Sequence, residues 1–176
     1  LRQLGLPDFE KNKYFESRIE AIPRGSLSGD LAELFLENLS DKKDFLAKIK
    51  NHKYRVTYFD KYNLSEFSLR LLLQFVSRFS NITDTQITSF DINLGKNDFR
   101  YSDRPIYLIH NYTQWDDYKK DFMKLCQEFE FTGNLVDNPQ LPHYRYFKFE
   151  SNNHTFNIRI DGGIAHGIKP VEFLLR

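Results

Sequence analysis

Residues 53–94 read KYRVTYFDKYNLSEFSLRLLLQFVSRFSNITDTQITSFDINL. Polar and apolar side chains alternate from residue 53 to 59, which predicts a strand. Apolar side chains recur at helical spacing from 65 to 79, which predicts a helix. Residues 85–94 are rich in β-branched side chains and alternate again, which predicts a second strand. Strands that alternate with helices indicate a sheet covered on both faces and mostly parallel at its centre.

The rest of the chain extends this pattern. Hydrophobic spacing and turn signals predict helices at 28–39, 41–49 and 113–129, and strands at 106–109, 130–135, 144–150 and 155–160. The last two strands are joined by residues 151–154, which is typical of a hairpin. We therefore predict one α/β domain with three layers and a mixed sheet. Residues 1–52 form an N-terminal arm and helices, and residues 53–176 form the α/β core.

Charge and composition exclude several classes of protein. The 176 residues contain 25 Lys and Arg against 24 Asp and Glu, so the net charge is +1. This balance argues against a strongly anionic partner such as bulk duplex DNA, although it permits a local basic patch. The patch that the sequence offers comprises Lys42, Lys43, Lys48, Lys50, His52, Lys53 and Arg55. Its simplest interpretation is a solvated surface, and contact with phosphates is the alternative.

Cysteine usage and hydropathy indicate the compartment. The single cysteine, Cys126, excludes an internal disulfide framework and indicates a reducing environment. No run of 18 apolar residues is present, so the sequence predicts no membrane span and a cytoplasmic location. Because the chain starts at Leu1 and stops within an apolar run, we expect a fragment of a larger protein whose other domains are partners.

One segment near the end of the chain favours phosphate chemistry. His143 and Arg145 are two residues apart on a predicted strand, so their side chains would project from the same face. Gly162 and Gly163 follow in a turn whose backbone N–H groups would bind an anion, and Lys169 would add a charge. The sequence thus predicts a phosphate cradle. The alternative is a strand start at His143 with Arg145 on a solvated face of the sheet.

This segment resembles the phospholipase D family. The family hallmark is His-x-Lys, four residues, Asp and a Gly-Ser-x-Asn turn. This chain has His143-x-Arg145, four residues, Glu150 and then Gly162-Gly163. The similarity covers roughly residues 53–170 and is closest to the phospholipase-D-like C-terminal domain that follows MIT domains.

The resemblance implies half of a phospholipase D fold and particular roles for these residues. His143 would be the nucleophile, Arg145 the phosphate clamp and Glu150 the supporting acid. The chain departs from the family in having Arg for Lys, Glu for Asp, and neither Ser nor Asn at the glycine turn. Because only one motif is present, catalysis would require a homodimer. The related MIT-associated domain implies a non-catalytic module that binds membranes and partners.

Three functions follow from these observations. We expect a regulatory module of a larger protein that binds phosphate-bearing ligands, either nucleic acid or anionic lipid, and that self-associates. The alternatives are a phosphodiesterase or nuclease that acts as a homodimer through His143, and a protein-interaction domain. We expect no cofactor and no metal, because the spacings of His143, His154, His166 and Asp161 match no ligand template. Asp60 and Asp91 lie at predicted strand ends, where α/β sheets place their sites.

Overall fold

The structure is a computed structural model that describes residues 30–37, 39, 41–61, 63–96, 112–141 and 145–160. The helices are α1 (Leu31–Glu37), α2 (Lys42–Ile49), α3 (Glu66–Thr83) and α4 (Trp115–Glu128). The strands are β1 (Lys53–Phe59), β2 (Gln86–Leu94), β3 (Leu135–Asp137), β4 (Arg145–Glu150) and β5 (Thr155–Ile160). The strand predicted at 106–109 lies outside the described residues. No helix in the described ranges is long and apolar enough to cross a membrane.

The strands form one mixed sheet in the order β3-β2-β1-β4-β5. β1 pairs in parallel with β2, and β2 pairs in parallel with β3. On the other side, β1 pairs antiparallel with β4, and β4 pairs antiparallel with β5. The predictions of a single α/β domain with a mixed sheet and of a C-terminal hairpin are therefore confirmed, whereas the parallel pairing occupies one half of the sheet and not its centre.

Aromatic side chains join the helices to one face of this sheet. The ring centroids of Phe75 on α3 and Phe147 on β4 lie 5.2 Å apart. Each of the other helices also contacts this face or the rings on it: Phe35 of α1 contacts Phe75, Phe45 of α2 contacts Phe156, and Phe122 of α4 contacts Phe90. The four described helices therefore share one face. Of the three layers predicted, the described residues supply the sheet and this helical layer.

The helices differ from the predictions mainly at their ends. Ser65, where the sequence predicted the first residue of the helix, is the cap of α3: its hydroxyl accepts from the Ser68 backbone N–H at 3.1 Å as part of a capping box. Thr113 is not the cap of α4, because that helix begins after Gln114, whose side chain makes no capping bond. Phe67, predicted in the apolar row of α3, is 37% exposed because the core face is formed by the row that includes Leu69 and Leu72.

The third strand starts later than predicted. Residues 130–135 were expected to be a strand, yet β3 spans Leu135–Asp137. The carbonyls of Thr132 and Asn134 nevertheless accept hydrogen bonds from backbone N–H groups of β2, at 2.8 and 3.0 Å. Gly133 lies between them, and a side chain there would collide with the carbonyl oxygen of Phe90. This close approach explains why the segment lies along β2 without forming a regular strand.

We expect Phe75→Ala and Phe122→Ala each to destabilise the domain by about 3–5 kcal/mol, as large-to-small core changes do. Both side chains are central to the aromatic packing and are 4% and 0% exposed. Urea unfolding measures the change. The matched control is Met123→Ala in the same helix, because Met123 is 42% exposed. Equal midpoints for Phe122→Ala and Met123→Ala would contradict this assignment of the core.

Candidate functional site

The carboxyl ends of the parallel strands are the first place to look for a site. β1 leaves the sheet at Asp60, and its two neighbours are β2, which is the next strand in the chain, and β4, which follows β3. The chain therefore reverses its direction of winding at this point. Open α/β sheets bind ligands in the crevice at such a position. β4 is antiparallel to β1, so its first residue, Arg145, lies at the same edge.

Arg145 and Asp60 form an ion pair at this edge. The Arg145 Nε donates to Oδ1 of Asp60 at 3.0 Å, and the Tyr58 hydroxyl donates to Oδ2 at 2.8 Å. The two side chains are only 15% and 4% exposed. Burial raises the pKa of Tyr58 well above its ordinary value, and the nearby Asp60 charge adds to this shift. Tyr58 is therefore a neutral donor, and both carboxylate oxygens of Asp60 are hydrogen-bonded.

A second polar contact joins this edge to α4. Asn63 is 2% exposed, and its Nδ2 donates to the hydroxyl of Tyr118 at 3.2 Å. Burial raises the pKa of Tyr118 well above its usual value, so this hydroxyl is also neutral. The Asn63 Oδ1 has no hydrogen-bond partner.

The structure separates two of the residues assigned to the phosphate site. Arg145 and Glu150 stand at opposite ends of β4, about 17 Å apart along the strand. They also project from opposite faces, because their positions differ by five, an odd number, and successive side chains of a strand alternate between faces. Glu150 forms an ion pair with Lys148 at 2.6 Å, whereas Arg145 forms an ion pair with Asp60. His143, Gly162, Gly163 and Lys169 lie outside the described residues.

Asp91 is fully committed to structural contacts. It is 3% exposed at its side chain, and its Oδ2 accepts from Nη2 and Nε of Arg55 at 2.6 and 3.0 Å. Its Oδ1 accepts from the backbone and the side chain of Asn134. Asp91 therefore connects β1, β2 and the segment before β3. Within the described ranges, no group of three or more His, Cys, Asp or Glu side chains is placed to hold a metal ion.

The opposite end of β1, its amino end, carries positive charge. Residues 41–55 contain six Lys and Arg against two carboxylates. We define the basic surface as the exposed lysines of α2, of the residue after it and of the start of β1: Lys42, Lys43, Lys48, Lys50 and Lys53. α2 is fixed beneath them because Phe45 and Ile49 are buried. Lys50 forms an ion pair with Asp84 at 3.8 Å, and both side chains are largely exposed.

Two histidines meet beside this surface. The hydroxyl of Tyr54 lies 3.1 Å from Nδ1 of His154, and the rings of His52 and His154 have centroids 6.0 Å apart. Sequence analysis did not connect His52 with His154, because 102 positions separate them. The signal that joins them is the strand register: β1 pairs with β4, and the turn after β4 ends at His154.

Comparison with known proteins identifies the family. Residues 23–166 match the family model described as the C-terminal domain of the DEAD/DEAH box helicase YjiV. The chain belongs to this family. By its description, a member of the family is a domain of a larger helicase. No match was found among curated proteins or among solved structures.

The resemblance to phospholipase D is therefore wrong. The family match covers the residues on which that resemblance was based, including His143 and Arg145. The phospholipase D interpretation relied on sequence spacing, in which four residues lie between Arg145 and Glu150. On the straight strand β4 that spacing separates the two charges, and Arg145 binds a carboxylate from another strand. Neither half of a phospholipase D fold nor its homodimeric chemistry is retained.

We expect Arg145→Met to destabilise the domain by about 3 kcal/mol, because it leaves the buried Asp60 carboxylate without its cation. Chemical unfolding measures the loss. Arg70→Met is the matched control: Arg70 forms a similar pair with Glu128, but these side chains are 51% and 46% exposed. We expect a much smaller loss there. Equal losses for the two variants would show that the Arg145–Asp60 pair contributes no more than a surface pair.

Proposed function

We propose that this domain is an accessory module of a DEAD/DEAH box helicase and that its basic surface contacts the phosphate backbone of the nucleic acid. The observation that carries the proposal is the uneven distribution of charge. The chain as a whole is nearly neutral, at +1, yet the exposed lysines of α2 and the start of β1 have few carboxylates among them. The family description, which places the domain in a helicase, supports a nucleic acid as the anion.

Lysines on a rigid support suit contact with a phosphate backbone. An ammonium group binds phosphate as a point charge and needs no fixed approach geometry. Such contacts carry no sequence information, and they release condensed counterions, so their affinity falls steeply with salt. We therefore propose binding that is weak, independent of sequence and sensitive to salt.

α4 offers a comparison within the same fold. It also carries exposed lysines, including Lys119 and Lys120. However, α4 contains three lysines and four carboxylates, so its surface has no positive excess. Mere exposure of lysine therefore does not distinguish the two helices. The charge balance does, and it favours α2.

We expect Lys42→Glu/Lys43→Glu to weaken binding of single-stranded oligonucleotides at least about tenfold at 100 mM salt. The slope of log affinity against log salt should become shallower by about 1.4, since two phosphate contacts to a single strand are lost. Fluorescence anisotropy over a salt series measures both. Stability should be retained, because acidic side chains are favourable in the first turn of a helix.

The matched control is Lys119→Glu/Lys120→Glu, which makes the same change of charge on α4. We expect it to retain most of the affinity. An equal loss of affinity in both double variants would mean that the affinity depends only on the net charge of the protein, and the proposed surface would be wrong. Binding to vesicles of anionic lipid in the absence of oligonucleotide binding would overturn the choice of nucleic acid.

The phosphate cradle predicted at His143, Arg145, Gly162, Gly163 and Lys169 stays a separate hypothesis. Arg145 already binds Asp60, so its use on a phosphate would require the phosphate to share or displace that carboxylate. His143→Ala in the same anisotropy assay tests this hypothesis. Self-association, a cytoplasmic location and contact with other helicase domains also stay predictions.

A further inference from the structure

His52, Tyr54 and His154 form a cluster at the start of β1. The rings of His52 and His154 are inclined by 38°, with centroids 6.0 Å apart. His154 ends the turn between β4 and β5, where its backbone N–H donates to Ser151 Oγ at 3.1 Å. Its Nδ1 lies 3.1 Å from the Tyr54 hydroxyl. Both histidines are half-buried, so the turn and the tyrosine orient His154 at the edge of solvent.

The charges that act on His154 are all positive. The titratable groups that face it are Lys48 on α2, His52 before β1 and Tyr54 on β1. Partial burial lowers the pKa of His154, and the charges of His52 and Lys48 lower it further. No carboxylate of the described residues contributes to this shift. The positive charges that lower this pKa favour an anion as the ligand beside His154.

Tyr54 allows His154 to change its protonation state without losing their hydrogen bond. Burial raises the pKa of Tyr54 to about 12, so its hydroxyl remains protonated. This hydroxyl can donate to Nδ1 of the neutral imidazole in its Nε2–H tautomer, and it can accept from Nδ1–H of the imidazolium. In both of these states Nε2–H is available as a donor. A backbone N–H or a lysine in place of Tyr54 would not accept the second proton.

We propose that His154, His52 and Lys48 form a phosphate-binding site that extends the basic surface. The inference rests on the proposed function, because the phosphate it would take in the cell is a phosphodiester of the bound strand. A phosphodiester keeps one negative charge between pH 5.5 and 7.5. The bound anion favours imidazolium, so the affinity for an oligonucleotide rises as the pH falls through this range.

Oligonucleotide affinity as a function of pH tests the site. We expect the wild-type affinity to rise by about tenfold from pH 7.5 to 5.5 at constant salt, the size of one charge-assisted hydrogen bond. His154→Gln and His52→Gln should each lose most of that rise. Asn153→Ser, a change at an exposed position of the same turn, is the control and should keep it. Equal rises in wild type and in both histidine variants would overturn the site.

Inorganic phosphate provides a test that does not depend on nucleic-acid binding. In NMR spectra at pH 6, phosphate should shift the Cε1–Hε1 resonances of both histidines, and chloride at equal ionic strength should not. Shifts without oligonucleotide binding would support the site and overturn the proposed function. A different combination of results would overturn the site and leave the proposed function intact. In it, Lys42→Glu/Lys43→Glu loses oligonucleotide binding, phosphate shifts neither histidine resonance, and the histidine variants bind oligonucleotide as the wild type does.

Discussion

β1 is the element on which the rest of the structure depends. It is the only described strand with a parallel neighbour on one side and an antiparallel neighbour on the other. Its apolar face, Tyr54, Val56 and Tyr58, has no exposed area and receives the aromatic layer of the helices. Its opposite face carries Arg55, which binds Asp91 of β2. A single strand of seven residues thus joins both halves of the sheet and separates its apolar face from a polar one.

The aromatic content of the chain has a specific use in this arrangement. Rings from α3 and β4 stack, as in the pair Phe75–Phe147, and rings of the hairpin stack on one another, as in Phe149–Phe156 with centroids 4.5 Å apart. Stacked and edge-to-face pairs contribute beyond the area they bury. Helices α1 and α2 have 7 and 8 residues, which is too few for an isolated helix to be stable in water. Contacts of Phe35 and Phe45 with the α3 ring row hold them in place.

Periodicity predicted the elements well and long-range contacts poorly. Strands β1 and β5 have the predicted bounds, and α3 begins within one residue of its predicted start, because alternation and helical spacing are properties of neighbouring residues. Asp60–Arg145 spans 85 positions and His52–His154 spans 102, so only the strand register brings each pair together. Local spacing also misled the interpretation of Arg145 and Glu150. A motif of fixed spacing has no chemical meaning until the element that carries it is known.

The two ends of β1 carry positive charge in different physical settings. At the carboxyl end, Arg145 holds a buried carboxylate, and removing either partner leaves an uncompensated charge in the interior. At the amino end, Lys53 and the lysines of α2 are exposed, so changing them leaves the core unperturbed. Contact with a phosphate backbone that is independent of sequence requires side chains that can bind and release a phosphate at little cost, because every nucleotide presents the same group. Arg145 is held by a buried carboxylate whereas the lysines are exposed, and for this reason we place the proposed contact surface at the amino end of β1, away from the crevice where α/β sheets usually bind their ligands.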